Sequence, residues 1–416
     1  MKNRIFYNNL LIKLNDNFLL INLLSFRRRI LSENEQETIF RMLSKESPTT
    51  YDESEMNLYN ALQNEGQIIS KDKRELFEKN AEEYSTKSEV EYKHFITIQI
   101  TEECNMNCHY CYEKSYKNSA SMTYAQIDSI KLFYEALEKE YNINLPIPII
   151  AITGGEPLLD LSTIDKIKHI SEIWDKSEIK IMSNAINLMK YKDLLPMDRI
   201  TEFFISLDGT DKVHMQRRYK GQFDIKIYNN IIESIKYLLS QNIKVALNVI
   251  VDNDNINSMK EFLDFLKNED IDINKVNLRI APVLDFMDEL GIDSNFNNKF
   301  DVINNTKQLA NIGLNIELIG ELSRLKSCVF RDYNTKFEHK FCRCNTSIGS
   351  RCFFSPNGNV YFCNRINTEK GIIGTFDPQI SFNHALINSL SNRTIYNDAK
   401  CKVCEYKFVC LGGFHQ

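Results

Sequence analysis

Residues 1–90 of this 416-residue chain contain no cysteine and a single glycine, Gly66. A thiolate metal site within that stretch is thereby excluded, and all eleven cysteines lie at or beyond position 104. No apolar run approaches the roughly 18 residues that a membrane-spanning helix needs, so no membrane partner is expected. The apolar stretch Phe18 to Leu24 contains Asn22 and runs on into Arg27-Arg28-Arg29 without a small-residue cleavage site, which is not the pattern of a secretory signal. Excess positive charge is missing too: the formal net charge is −5, which gives no electrostatic reason to expect nucleic acid. An odd cysteine count, clustered in motifs, suits metal ligation in a reducing compartment better than disulfides. With 43% hydrophobic and 26% charged residues, the chain is expected to be globular and cytoplasmic.

In the first 90 residues, Arg4 to Leu14 and Phe18 to Leu24 flank Asn15-Asp16-Asn17, which predicts a hairpin. Ser32-Glu33-Asn34-Glu35 is a capping box that opens a helix through Leu43. A second helix is expected from Ser54 to Glu65, ended by Gly66, with Gln67 to Ser70 as a short strand and Lys71 to Ser88 as a charged helical connector. From residue 95 to about 312 the pattern becomes alternating strands and helices, which implies an α/β fold on a parallel sheet. The expected strands are Phe95–Thr101, Pro148–Thr153, Glu178–Ser183, Ile200–Leu207, Ile243–Val251 and Lys275–Ala281. The expected helices between them include Tyr124–Tyr141, Asp224–Gln241 and Ser258–Asn268. Functional residues in such sheets gather at the carboxyl ends of strands.

The first strand runs into Cys104-Asn105-Met106-Asn107-Cys108-His109-Tyr110-Cys111. Three thiolates on one loop can hold three irons of a 4Fe-4S cluster and leave the fourth open, whereas an electron-transfer cluster takes four cysteines. A zinc knuckle or a two-cysteine redox site are the plainer alternatives. Thr153-Gly154-Gly155-Glu156-Pro157 follows the second strand, Ser183-Asn184 the third, and Ser206-Leu207-Asp208-Gly209 the fourth. His214 lies just beyond, followed by Arg217 and Arg218. Asn248 and Arg279, within the fifth and sixth strands, point toward a bound ligand or are satisfied structure. His109 reads as solvent-facing and Asp208 as a turn stabiliser. The tail holds Cys328, Cys342, Cys344, Cys352, Cys363, Cys401, Cys404 and Cys410, with a hairpin turn expected at Asn357-Gly358.

The cysteine loop and the Gly-Gly-Glu-Pro turn closely resemble those of the radical S-adenosylmethionine (radical SAM) enzymes. That resemblance implies an open six-stranded (βα)6 barrel, with residues 91–320 forming the barrel, 1–90 a small α+β domain and 321–416 a cysteine-rich domain. It implies that Cys104, Cys108 and Cys111 bind the catalytic 4Fe-4S cluster, whose open iron takes S-adenosylmethionine. Reductive cleavage of that cofactor would give a 5′-deoxyadenosyl radical that abstracts a substrate hydrogen. Residues carried over as cofactor contacts are Tyr110 beside adenine, Gly154, Gly155, Glu156 and Pro157 at the methionine amino group, Asn184, Ser206, and Arg217 or its neighbour Arg218 as a carboxylate clamp.

Cys344-x13-Gly358-x4-Cys363 and Cys401-x2-Cys404-x5-Cys410 resemble the SPASM auxiliary-cluster domain of radical enzymes that act on peptides and proteins. The resemblance implies one or two auxiliary 4Fe-4S clusters drawn from Cys342, Cys344, Cys352, Cys363, Cys401, Cys404 and Cys410. It departs at Phe414, where a further cysteine is usual, and one or two zinc ions suit the same thiolates. The N-terminal segment resembles winged-helix leader-recognition domains, or is a plain structural extension. The implied activity is modification of a ribosomally made peptide or a protein side chain, fed by an external flavodoxin- or ferredoxin-type electron donor. An anaerobic sulfatase maturase is the rival enzyme, weakened because Asn364 replaces the carboxylate expected after the hairpin cysteine. A cofactor-free peptide-binding scaffold with a zinc-bound tail is the rival from another class.

Overall fold

The structure is a computed structural model that describes residues 9–14, 17–25, 27–45, 47–85, 94–111, 113, 119–219, 224–252, 254–283, 316–318, 350–364, 368–404 and 407. The chain divides into two compact units. One holds the described residues of Met1–Glu91 and Asn392–Gln416, and the other those of Tyr92–Gly320 and Asn345–Ser391.

In the first unit, β1 (Asn9–Leu14) and β2 (Asn17–Asn22) form the expected antiparallel pair, from Asn9↔Asn22 to Leu14↔Asn17. A third strand, β3 (Arg28–Leu31), pairs with β2; its Arg28-Arg29 start hid it from pattern reading. Ser32 caps α1 (Glu33–Leu43) and Glu35 returns the bond to the Ser32 amide, so the capping box forms as expected. Asp52 and Glu55 build a second box on α2 (Glu53–Asn64). Leu20, Leu31, Ile39, Met42, Leu58, Leu62 and Ile68 bury one core between sheet and helices.

The strand expected at Gln67–Ser70 does not form. Gly66 takes a φ of +75°, and the Gln67 and Ile68 amides both donate to the Leu62 carbonyl, at 2.7 and 3.1 Å, so this stretch terminates α2 and sends Ile68 into the core. Helix α3 (Lys71–Ser85) supplies Ala81 to a second cluster with Leu24, Ile395, Tyr396 and Cys401.

In the second unit the six expected parallel strands are β4 (Phe95–Gln99), β5 (Ile149–Thr153), β6 (Ile179–Ser183), β7 (Ile200–Ser206), β8 (Lys244–Val251) and β9 (Val276–Pro282). The helices along this run are α4 (Tyr124–Tyr141), α5 (Leu161–Ile173), α6 (Leu188–Tyr191), α7 (Asp211–Tyr219), α8 (Ile225–Ser240) and α9 (Met259–Asn268). Alternation sorts the side chains: Ile179, Ile181, Phe203, Ile205, Val245 and Leu247 are buried, while Lys180, Glu202, Phe204 and Asn248 point the other way and are half-buried.

Polar groups on this second face satisfy one another. Lys180 pairs with Glu202 at 2.6 Å, the Arg279 guanidinium lies 4.7 Å from the Phe204 ring, and Arg279 donates to Asn248 at 3.2 Å.

The sheet extends beyond the six strands. Strand β10 (Ile316–Leu318) adds parallel to β9, and β11 (Arg351–Phe354) adds parallel to the other side of β4. Strands β12 (Asn359–Tyr361), β13 (Ile372–Thr375) and β14 (Ser381–Phe382) follow antiparallel, with α10 (His384–Ser391) after them. The β11–β12 hairpin turns at Asn357-Gly358 as expected, and Gly358 has a φ of +83°. Short helix α11 (Ala399–Lys402) belongs to the first unit. Among the described residues, no helix is long and apolar enough to cross a membrane.

Candidate active site

The motif residues meet at the carboxyl ends of β4 to β8. The loop after β4 and the turn after β5 lie side by side: the Gly155 amide donates to the Thr101 carbonyl and the Glu156 amide to the Glu103 carbonyl, both at 2.8 Å. A Cβ on Gly155 would lie 2.2 Å from the Glu103 carbonyl oxygen, and one on Gly154 2.8 Å from that of Thr101. The glycine pair is therefore required for the cysteine loop to pack against β5, a reason different from the expected approach to a ligand.

Glu156 is buried and its carboxylate accepts three protein bonds: from Ser183 Oγ (2.6 Å), the Asn184 amide (2.8 Å) and the Leu158 amide (2.8 Å). Burial pushes its carboxyl up to about 7, against the pull of those three donors. Pro157 is buried directly after it. Asn184 Nδ2 donates to Asn105 Oδ1 at 2.7 Å, so the β6 end reaches the cysteine loop. The next residue, Ala185, is fully buried with a φ of +61°, a left-handed conformation that a non-glycine residue adopts at a cost and that concentrates at functional sites.

Asp208, fully buried after β7, is the hub of the opposite wall. Arg218 on α7 grips it as a fork, Nε to Oδ2 and Nη2 to Oδ1, both 3.0 Å. Tyr110 O–H donates to Oδ2 and the Ile250 amide to Oδ1 (3.0 Å), while Asn255 Nδ2 reaches the Asp208 carbonyl (3.0 Å). Burial alone would raise this carboxyl, but the Arg218 and Arg217 guanidinium groups hold it below the usual range. The turn-stabilising role expected for Asp208 thus gives way to that of a charge hub. His214 accepts the Asp208 amide on Nδ1 (3.3 Å), and burial beside Arg218 pushes its imidazole down to about 3, so it stays neutral.

Arg217 turns elsewhere: Nη1 lies 2.6 Å from Asp252 Oδ1 and Nη2 3.2 Å from the Ile250 carbonyl. Its partner Asp252 has a carboxyl that the His109 and Arg217 bonds hold at about 2 although burial pushes it up. His109 is not simply solvent-facing; its amide (3.1 Å) and Nδ1 (3.0 Å) both meet the Arg217 carbonyl. Together with the Asn107 amide on the Arg218 carbonyl (3.0 Å), these bonds tie the cysteine loop to the last turn of α7.

Arg218, the second arginine, is the one aimed at the cysteines, with Nη1 3.8 Å from Cys108 Sγ. Both guanidinium groups stack on the buried Tyr110 ring, at 5.1 and 5.4 Å. The signal for Arg218 was present in the sequence, since His214 and Arg218 are four apart and share a helix face. Asn105, Asp252 and Asn255 carried no such signal. Ser206 ends β7 on the half-buried face, in register with Asn248.

Cys104, Cys108 and Cys111 are all half-buried. The Met106 amide donates to Cys104 Sγ (3.4 Å) and Arg218 to Cys108 Sγ, so two of the sulfurs sit among N–H donors and a cation. That donor set fits an iron-sulfur cluster.

The tail cysteines differ. Cys352 on β11 is 2% exposed and burial pushes its thiol up to about 12. Cys363 is half-buried beyond β12, with Sγ 3.9 Å from Asn364 Oδ1. Cys401 is buried in the apolar cluster of the first unit and Cys404 is half-buried. Cys328, Cys342, Cys344 and Cys410 lie outside the described residues.

Comparison with known proteins agrees with this geometry. The chain is 27% identical over 200 residues to a GTP 3′,8-cyclase of Clostridium perfringens, covering 46% of this chain and 55% of that protein. It is 26% identical over 287 residues to a GTP 3′,8-cyclase of Staphylococcus epidermidis, covering 64% and 77%. The chain thus spans about half the length of the first of these curated relatives.

In fold it is similar to Streptococcus suis SuiB bound to precursor peptide SuiA, with a TM-score of 0.55 and 17% identity over 100% of this chain and 95% of that one. It is also similar to anSMEcpe with bound AdoMet, with a TM-score of 0.55 and 15% identity over 76% and 87%. Residues 98–266, which hold the cysteine loop, the Gly-Gly-Glu-Pro turn and the Asp208 hub, match the Radical SAM superfamily, whose cofactors are a 4Fe-4S cluster and S-adenosylmethionine. It is this segment, about two fifths of the chain, that carries the likeness to the radical SAM superfamily.

Proposed function

We propose that this chain is a radical SAM enzyme that modifies a peptide or protein. The observation that carries the reading is the trio of half-buried cysteines on one loop, held between the Gly154-Gly155 turn and the Asp208–Arg218 pair. When bound, the cluster and S-adenosylmethionine supply one-electron chemistry able to break a substrate C–H bond.

The chain's own residues hold and orient. Cys104, Cys108 and Cys111 ligate iron; Glu156, Asn184 and Asn105 brace the loop from the β6 side, leaving one acceptor position of Glu156 for a cofactor ammonium. Ser206, Asn248 and Arg279 line the half-buried face on which substrate or cofactor lies. Tyr110, buried beside two guanidinium groups, would keep water from the loop's inner side.

A peptide substrate is favoured by the fold likeness to SuiB, which covers the whole chain and whose structure contains a precursor peptide. The three-stranded sheet and helices of the first unit would then recognise a leader segment. Cys363 and Cys404, both half-buried, are the described candidates for auxiliary ligands, whereas Cys352 and Cys401 are both buried; reduction would come from an external flavodoxin- or ferredoxin-type donor in a reducing cytoplasm.

A second reading, a nucleotide substrate, is favoured by the GTP 3′,8-cyclase relatives. The test is anaerobic: reduced, reconstituted enzyme with S-adenosylmethionine should release 5′-deoxyadenosine, and a peptide encoded beside this gene should change mass. GTP consumption with no change in that peptide would replace the first reading by the second. No 5′-deoxyadenosine at all would reject both.

A further inference from the structure

We propose that Arg218 is a positioning residue for the thiolate loop: clamped on Asp208, it donates to Cys108 Sγ and raises the reduction potential of the centre held there. The inference rests on the reading that Cys104, Cys108 and Cys111 hold a 4Fe-4S cluster, and it goes beyond that reading in naming what tunes the centre.

The geometry leaves the guanidinium little freedom. Two of its nitrogens are spent on the two oxygens of Asp208, at 3.0 Å each, which fixes the plane of the fork and aims Nη1 at Cys108 Sγ, 3.8 Å away. Asp208 cannot rotate to release it, because the Ile250 amide holds Oδ1 and Tyr110 O–H holds Oδ2. Side-chain exposure is 7% for Arg218 and 0% for Asp208, so water does not compete for these bonds. The backbone adds a second tie, since the Arg218 carbonyl accepts the Asn107 amide one residue before Cys108 (3.0 Å).

Net charge is not the cause of the tuning. Arg217 and Arg218 face Asp208, Asp252 and, at 4.0 Å, the exposed Asp254 in ion pairs, two cations against three anions. What remains is a directed N–H pointing at one sulfur. Such a donor withdraws electron density from the thiolate and favours the more negative, reduced state of the centre, which moves the one-electron couple to higher potential. Arg217, one residue earlier, is spent on Asp252 and the Ile250 carbonyl, so the function falls to one arginine of the pair.

The experiment uses anaerobically reconstituted full-length protein in wild-type, Arg218→Gln, Arg218→Lys and Cys108→Ala forms. Iron per chain is counted, and the paramagnetic signal that responds to S-adenosylmethionine is titrated with dithionite as the one-electron reductant. Arg218→Gln should keep wild-type iron and titrate at a more negative potential. At the wild-type midpoint its reduced-to-oxidised ratio should fall roughly tenfold, or about 59 mV for a one-electron couple. Arg218→Lys, which keeps the charge but not the fork, should shift in the same direction by less, and it carries the test if the glutamine variant does not fold. An unshifted potential in whichever variants fold, or loss of the loop's iron in Arg218→Lys, overturns the proposal. Cys108→Ala with wild-type iron would instead remove the cluster reading on which it rests.

Discussion

Cys108 and Cys352 belong to neighbouring parts of one sheet: the first lies in the loop after β4, the second on β11, which pairs directly with β4. Cys108 is half-buried at the strand ends with a guanidinium 3.8 Å from its sulfur. Cys352 stands opposite Ile96 in the middle of the pairing, 2% exposed, with its thiol pushed up to about 12 by burial. A directed N–H meets the first sulfur, whereas the second is packed in the interior of the sheet. Cysteine spacing nominates ligands, and it does so without regard to how differently each sulfur is surrounded.

That contrast can be broken most sharply by deletion. Replacing Cys104, Cys108 or Cys111 singly with Ala should abolish the iron bound by the barrel loop, about four atoms per cluster, by iron analysis after anaerobic reconstitution. Cys352→Ala should leave the iron count at the wild-type value; a drop equal to that of the loop variants would erase the distinction.

The next largest effect is expected at the wall that supports the loop. Gly155→Ala places a methyl 2.2 Å from the Glu103 carbonyl and should destabilise the apo-protein by about 3 kcal/mol in a urea titration. A change below about 0.5 kcal/mol would mean that the loop yields freely.

Glu156 sharpens the comparison through pH. Its carboxyl stands at about 7 in the folded chain against an ordinary 4.5, so the folded state binds the extra proton between those values. Its contribution is therefore greatest below pH 4.5 and is lost as pH rises through 7, on the order of 3 kcal/mol. Unfolding midpoints of the apo-protein should fall between pH 5 and 8, and Glu156→Gln should flatten that slope. Parallel slopes in the two proteins would show that another group titrates.

The smallest change is expected for Cys352→Ser, which puts a hydroxyl in an apolar layer: about 1–2 kcal/mol of stability lost, by thermal melting, with iron unaffected.

Much of this architecture was legible before any coordinates. The six parallel strands announce themselves as apolar runs of the right length separated by amphipathic helices, and the Ser32–Glu35 box fixes the start of α1. Strand β3 was hidden because Arg28 and Arg29 break the apolar alternation, and the misplaced strand at Gln67–Ser70 shows a short apolar run being used to end a helix instead. The pairing of β11 with β4 has no local signature, since it joins residues far apart in sequence. At the site, the cysteine trio and the Gly-Gly-Glu-Pro turn stood out by spacing. The choice between Arg217 and Arg218 did not, because it depends on which way α7 faces Asp208 and Asp252.

The position of β11 also governs how this protein can be cut. Because it completes the hydrogen bonding of β4 on the side away from β5, removing the chain from Asn345 onward would strip the cover from a strand whose next residues form the cysteine loop. A shortened protein would present that bare backbone to its own copies, and self-association would precede any loss of chemistry.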